Sequence, residues 1–347
     1  LIGGFALTGT GQHELSIAEA DKAIALDADL PPAYVNKAMN QLYLNRLDDA
    51  LLTIRRAQER KLVSPEFFFL VPYFVAFLRG ADDEVRRLVS VARKSPFEDI
   101  VSHLEALALA RSGRLQEATR MSSVAVEIAQ RSDRRERAGL FEAARAVWQA
   151  LYGNADAARQ SAAKALALGR GREVDYAAAV ALALSGDLPQ SRTLADDLAR
   201  ECPEDTSVQF MYLPTLRALF ALKTGDAAAA IQFLQAASRY DLALGGIGFT
   251  GRFGGLYPTY IRGLAYVAAG RPAEAVTEFQ RIRDHRSIVL VDPLDALARL
   301  QLARALTLSG DVASAKGAYN DLFSVWKTAD PDIPVISDAR LRSPTFE

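Results

Sequence analysis

The chain has 347 residues, 24% of them charged and 50% hydrophobic, with 22 glycines, 14 prolines and one cysteine. Its 41 Lys and Arg against 42 Asp and Glu leave a formal net charge of −1, so no global basic field exists to hold a nucleic-acid backbone. Cys202 alone makes no internal disulfide, and with the scattered His13, His103 and His285 it builds no zinc site; neither metal nor cofactor is expected.

Along the chain one pattern recurs: an apolar helical segment, a Gly, a polar residue, then a small residue five positions after the Gly. It is clearest at 108–126, 181–199, 265–283 and 305–323. The turn position falls at Asn45, Gly80, Gly113, Gly153, Gly186, Gly225, Gly270 and Gly310, at intervals of 33 to 45 residues. Gly and Asn are the residues that most readily take the left-handed conformation ending a helix. Before the turns, apolar residues recur at helical spacing, as Ala303, Leu306 and Leu308 do.

After the turns a small residue marks a close helix crossing: Ala50, Ala118, Ala158, Ser191, Ala230, Ala275 and Ala315, with Val85 the exception. Seven residues further on lies a second small or apolar site, from Ala57 and Ala92 to Leu322. Pro31, Pro65, Pro96, Pro203 and Pro293 punctuate the hand-over between units. The run 286–293 (RSIVLVDP) is the only β-branched stretch and lies between two helical units.

In phase and length this resembles a tetratricopeptide-repeat (TPR) array, whose period is about 34 residues. The implied fold is all-α, a right-handed α-solenoid of TPR-like helix-turn-helix repeats forming one superhelical domain over 1–347. A partial repeat covers about 1–30, its second helix at about 15–27. Repeats follow at about 31–64, 65–96, 97–132, 133–171, 172–204, 205–244, 257–292 and 293–326, then a cap at 327–347. Individual units depart from the consensus: no first helix carries its Trp, and Arg217 and Arg262 occupy a usually apolar site.

The resemblance implies that first helices line a concave partner groove. Carried over by phase, the groove residues are Phe67, Leu70, Phe74 and Phe77, then His103, Tyr176 and Tyr212, then Tyr257, Tyr260, Leu264 and Arg304. This surface is aromatic and aliphatic, without the basic clamp used for carboxylate tails. It suits an apolar or amphipathic segment of a protein or peptide.

Several motifs fall away. The GIGFTG run at 246–251 satisfies G-x-G-x-x-G, but a helix rather than a strand precedes it and no Lys is near. It reads as part of a flexible Gly-rich loop at 241–256, a candidate lid. In 284–289 (DHRSIV), Ser287 stands where a kinase catalytic Asp would be. Acid pairs such as Asp48–Asp49 are helix neighbours that do not face each other across a cleft. Cys202 has no activating motif, and His103 reads as a buried, hydrogen-bonded side chain. No catalytic residue is assigned, and this chain is not expected to be an enzyme.

Apolar stretches such as 176–184 fall short of the roughly 18–20 residues needed to span a bilayer. No signal peptide opens the chain, and Leu1 in place of Met suggests a segment of a longer protein.

Three segments narrow the resemblance: 257–266, 284–293 (DHRSIVLVDP) and 326–334 (WKTADPDIP). They are similar to the C-terminal TPR region of bacterial eukaryotic-like serine/threonine protein kinases. That likeness implies a regulatory or sensory module following a catalytic domain, often with a membrane segment between, on either side of which the repeats can lie. Similar arrays follow winged-helix DNA-binding domains in bacterial regulators. The leading expectation is therefore a non-catalytic protein- or peptide-binding scaffold; a small-molecule sensor, with ligand held in the groove, is the alternative. The partner, the effector domain and the oligomeric state stay open.

Overall fold

The computed structural model describes residues 2–244 and 256–342. Helices build it throughout, with no strand among the described residues. They run as antiparallel pairs: α1 (Ile2–Gly9) with α2 (His13–Leu26), α3 (Pro31–Tyr43) with α4 (Leu47–Glu59), and α5 (Pro65–Arg79) with α6 (Asp82–Ala92). Next come α7 (Glu98–Arg111) with α8 (Leu115–Arg131), α9 (Arg135–Leu151) with α10 (Ala155–Leu168), and α11 (Arg172–Leu184) with α12 (Leu188–Glu201). A π-helical turn at Val208–Tyr212 feeds α13 (Leu213–Lys223), which pairs with α14 (Ala227–Gln235). The last pairs are α15 (Leu256–Ala268) with α16 (Pro272–Asp284), and α18 (Leu294–Leu308) with α19 (Val312–Val325). A single turn, α17 (Arg286–Val289), separates them, and α20 (Pro334–Arg342) closes the chain.

The turns explain why pairs form. All eight expected turn residues have positive φ, from 60° at Asn45 to 89° at Gly153. In each, the residue after the turn donates its N–H to the carbonyl five positions back, as Ala81 does to Ala76 at 2.9 Å and Arg114 to Leu109 at 3.0 Å. That bond satisfies carbonyls left over at the helix end and reverses the chain. Gly11, with φ 80°, does the same between α1 and α2, so the first 30 residues hold both helices of a pair.

Crossing geometry follows residue size. Ala50, Ala118, Ala158, Ser191, Ala230, Ala275 and Ala315 are all fully buried where a second helix crosses its neighbours, whereas Val85 on α6 is only half-buried. First helices stack in a row, α9 on α11, α11 on α13, α13 on α15 and α15 on α18. Pairing of α6 with α7 is much slighter than that of α8 with α9 or α10 with α11.

The row curls until it meets itself. α18 packs on α7, and α17 packs on α3. Ser287 donates its hydroxyl to the Tyr43 carbonyl at 2.8 Å, and Arg111 forms an ion pair with Asp295 at 2.5 Å. Past α19, Trp326 donates its indole N–H to the Arg111 carbonyl at 3.2 Å, and Asp330 donates its backbone N–H to the Gly113 carbonyl at 2.9 Å. One apolar core runs from Val35 to Ala339. The accessible surface of 14767 Å² is close to the roughly 13,800 Å² expected of a compact monomer of 37.7 kDa. An open solenoid of this length would expose far more.

Candidate binding surfaces

Of the residues the sequence places on the inner face, Leu70, Phe74, His103, Tyr176, Tyr212, Tyr257 and Tyr260 lie in the interior. Phe67, Phe77, Leu264 and Arg304 are half-buried. Their neighbours are other parts of the chain. The Tyr176 and Tyr212 rings stack at 3.9 Å, joining α11 to the π-helical turn, and His103 stacks on Phe141 of α9 at 4.3 Å. Tyr257 donates to Asp292 at 3.2 Å, while Tyr260 meets Phe279 edge-on. Burial raises the Tyr257 hydroxyl well above its ordinary value, with Asp292 adding to the effect, and pushes Tyr260 up to about 12. Phe77 lies under the Arg111 guanidinium, and Arg304 pairs with Asp338 of α20.

The plug is the segment 289–292. Val289, Leu290 and Val291 fit against Phe74, Leu104 and Leu107, leaving a cavity of about 20 Å³, room for about one water molecule. Leu290 has φ 56°, an unusual conformation for a branched residue, held here between α17 and α18. The run read in the sequence as β-branched is thus a helical turn and a kink whose apolar side chains fill the inner face.

The expected lid falls mostly outside the described residues, but its first anchor is visible. Asp241 is buried between Arg262, at 2.7 Å, and Arg281, at 2.6 Å, and Arg262 also holds Glu278. His13 of α2 bonds the Leu242 carbonyl through Nε2 at 3.1 Å and Asn40 through Nδ1 at 2.8 Å. Those contacts fasten the end of the α14 unit to the first two pairs.

The open surface lies elsewhere. Between α6 and α8, over α7, a groove of about 590 Å³ is floored by Val85, Val89, Leu109 and Met121, with Tyr73 of α5 beneath. Arg86, Arg93 and Arg114 rim it. Arg93 grips Glu105 through two 3.0 Å contacts and Arg114 pairs with Glu117. Burial lifts the Glu105 carboxyl above the usual range, with Arg93 acting against that shift. Val85, the one branched residue at the close-crossing site, lines this groove, where α6 and α7 touch only slightly. In the sequence Val85 stands out only as the exception among small crossing residues.

A second cavity, about 540 Å³, lies between the Gly153 turn and the cap, lined by Asp156, Asp330, Asp332, Gln149 and Asn154. No group of three or more His, Cys, Asp or Glu able to hold a metal occurs among the described residues. No described helix is long and apolar enough to cross a membrane.

Helix pairing and turn geometry define an all-α helical repeat of the TPR type. No protein-family model matches the chain, and no curated protein matches it either. Among solved structures it is similar to yeast Tom70, at 13% identity and TM-score 0.41, over 97% of this chain and 87% of that one. It is also similar to the TPR domain of P58(IPK), at 14% identity and TM-score 0.27, over 98% and 95% of the two chains. A third, Naa15/Naa10 bound to HypK-THB, matches at 13% identity and TM-score 0.24, over 97% of this chain and 59% of that one.

Proposed function

We propose that this chain is a non-catalytic scaffold that binds an amphipathic helical segment of a protein partner, and that the segment docks between α6 and α8. The carrying observation is the groove itself, lined by the half-buried Val85, Leu109 and Met121 over the buried Val89. The lining suits aliphatic anchors at i, i+3 and i+4, and the rim arginines, each paired with a carboxylate, give a charge-balanced edge. Inner residues such as Phe74, Tyr257 and Tyr260 act in this reading by holding the array closed around the groove.

The finer reading is that the chain is the regulatory region of a bacterial serine/threonine kinase. It is supported by the three segments that resemble such proteins. Two of the three carry closing contacts, Ser287 to Tyr43 and Trp326 to Arg111, while Tyr257 to Asp292 joins neighbouring units. The coding sequence upstream of Leu1 tests this reading: a kinase catalytic domain there supports it, and an unrelated domain refutes it.

For the groove, a displayed library of amphipathic helices selected on the chain should yield binders that lose capture on Val85→Glu or Leu109→Glu, both half-buried in the groove. Binders indifferent to both substitutions would place the docking surface elsewhere.

A further inference from the structure

The groove between α6 and α8 has a polar end. On α7, Glu105 and Leu109 both line it, one helical turn or about 6 Å apart. Tyr73 of α5 lines it from below, 1% exposed, with its ring packed against Phe69 and Phe74 at 5.4 Å from each. The Tyr73 hydroxyl makes no hydrogen bond among the described residues. Burial, and then the Glu105 charge, raises this phenol well above its ordinary value, so it keeps its proton as a donor. Glu105, its side chain 23% exposed, takes one Arg93 nitrogen at 3.0 Å on each oxygen and has lone pairs to spare. Water can serve both groups while the groove is open. A segment that covers them expels that water, and must supply an acceptor for Tyr73 and a donor for Glu105 or leave both unsatisfied.

We propose that the docked segment carries one carboxamide, an Asn or Gln side chain, which accepts from the Tyr73 hydroxyl and donates to the Glu105 carboxylate, one helical turn from the apolar residue seated on Leu109. The inference rests on the docking surface proposed above and specifies the partner of that surface. Arg93 already neutralises Glu105. A Lys on the segment would therefore bring an uncompensated charge to a half-buried place, and an Asp or Glu would stand against Glu105. A neutral group with an acceptor and a donor on adjacent prongs meets both needs, and a carboxamide is built that way. Such a contact fixes register and selects among segments, because an apolar residue over Tyr73 is penalised.

The test uses helices selected on the full chain from the displayed library. Their sequences should show Asn or Gln enriched at one position, three or four residues from an aliphatic anchor. A selected helix, and its version with Leu in place of the carboxamide, are then titrated by calorimetry against wild type, Tyr73→Phe and Glu105→Met. Tyr73→Phe removes a hydroxyl without a partner, so it should keep the melting temperature of the chain. It should weaken the carboxamide helix about tenfold, and bind the Leu helix as well as wild type does or better. Glu105→Met should likewise weaken the carboxamide helix and spare the Leu helix. Helices lost on Leu109→Glu yet equally tight on Tyr73→Phe, or a selection favouring Leu or Lys at that position, would overturn the carboxamide and leave the docking surface standing. Helices indifferent to both Leu109→Glu and Val85→Glu would overturn the two together.

Discussion

Arg111, the last residue of α7, donates two hydrogen bonds to one carboxylate oxygen of Asp295, the second residue of α18, across 184 positions of sequence. Both side chains are largely withdrawn from water, and Asp295 is also held by Arg299. The pair joins the two arms of the superhelix where they meet.

Replacing Asp295 with Asn keeps the shape and removes the charge that two arginines share. Taking one partner from a buried pair costs about 3–5 kcal/mol. Arg111 retains some solvent contact, so the lower end is expected, about 3 kcal/mol in denaturant titration. A loss under about 1 kcal/mol would mean the closure is held chiefly by apolar packing.

The same residue sets a pH dependence. Burial alone would raise the Asp295 carboxyl, but Arg111 and then Arg299 outweigh it and hold the group below the usual range. A carboxylate depressed in the folded state contributes stability that is fully present above its unfolded value, about 3.9. That contribution is lost as pH falls through the folded value. Stability followed from pH 6 to pH 2 should drop more steeply for wild type than for Asp295→Asn, and parallel curves would contradict this.

Gly263 of α15 faces Phe279 of α16 so closely that a Cβ there would lie 2.6 Å from the ring. Phe279 is fully buried. Gly263→Ala should therefore destabilise by about 1–3 kcal/mol through overpacking, and Phe279→Leu in the same chain should recover part of the loss. Thermal melts of both variants check the coupling.

Trp326 is buried against Tyr152 and bonded to the Arg111 carbonyl. Trp326→Ala should cost about 3–5 kcal/mol and free the cap, detected as faster amide exchange over 329–336 and around Gly113. Unchanged exchange at Gly113 would show that the Asp330 bond to Gly113 holds the cap without Trp326.

The sequence revealed the repeat because the repeat is local. Gly80 and Gly113 are glycines for the same backbone reason, and Ala118 and Ala158 are small for the same crossing. Closure is different in kind. It depends on the accumulated twist of several pairs, and nothing periodic links Arg111 to Asp295 or Ser287 to Tyr43. Inner aromatics such as Tyr176 and Tyr260 were legible as inward-facing, but whether another molecule or the chain itself meets them depends on that twist. The run 286–293 stood out as β-branched between two helical units, and Val289, Leu290 and Val291 in it fill the inner face.

Small-angle X-ray scattering of the monomer tests the closed superhelix most directly. A compact chain of 347 residues has a radius of gyration of about 20 Å, and the account predicts that value with a nearly symmetric distance distribution. A radius several ångström larger, with the long tail of an extended solenoid, would contradict it and return the inner face to solvent.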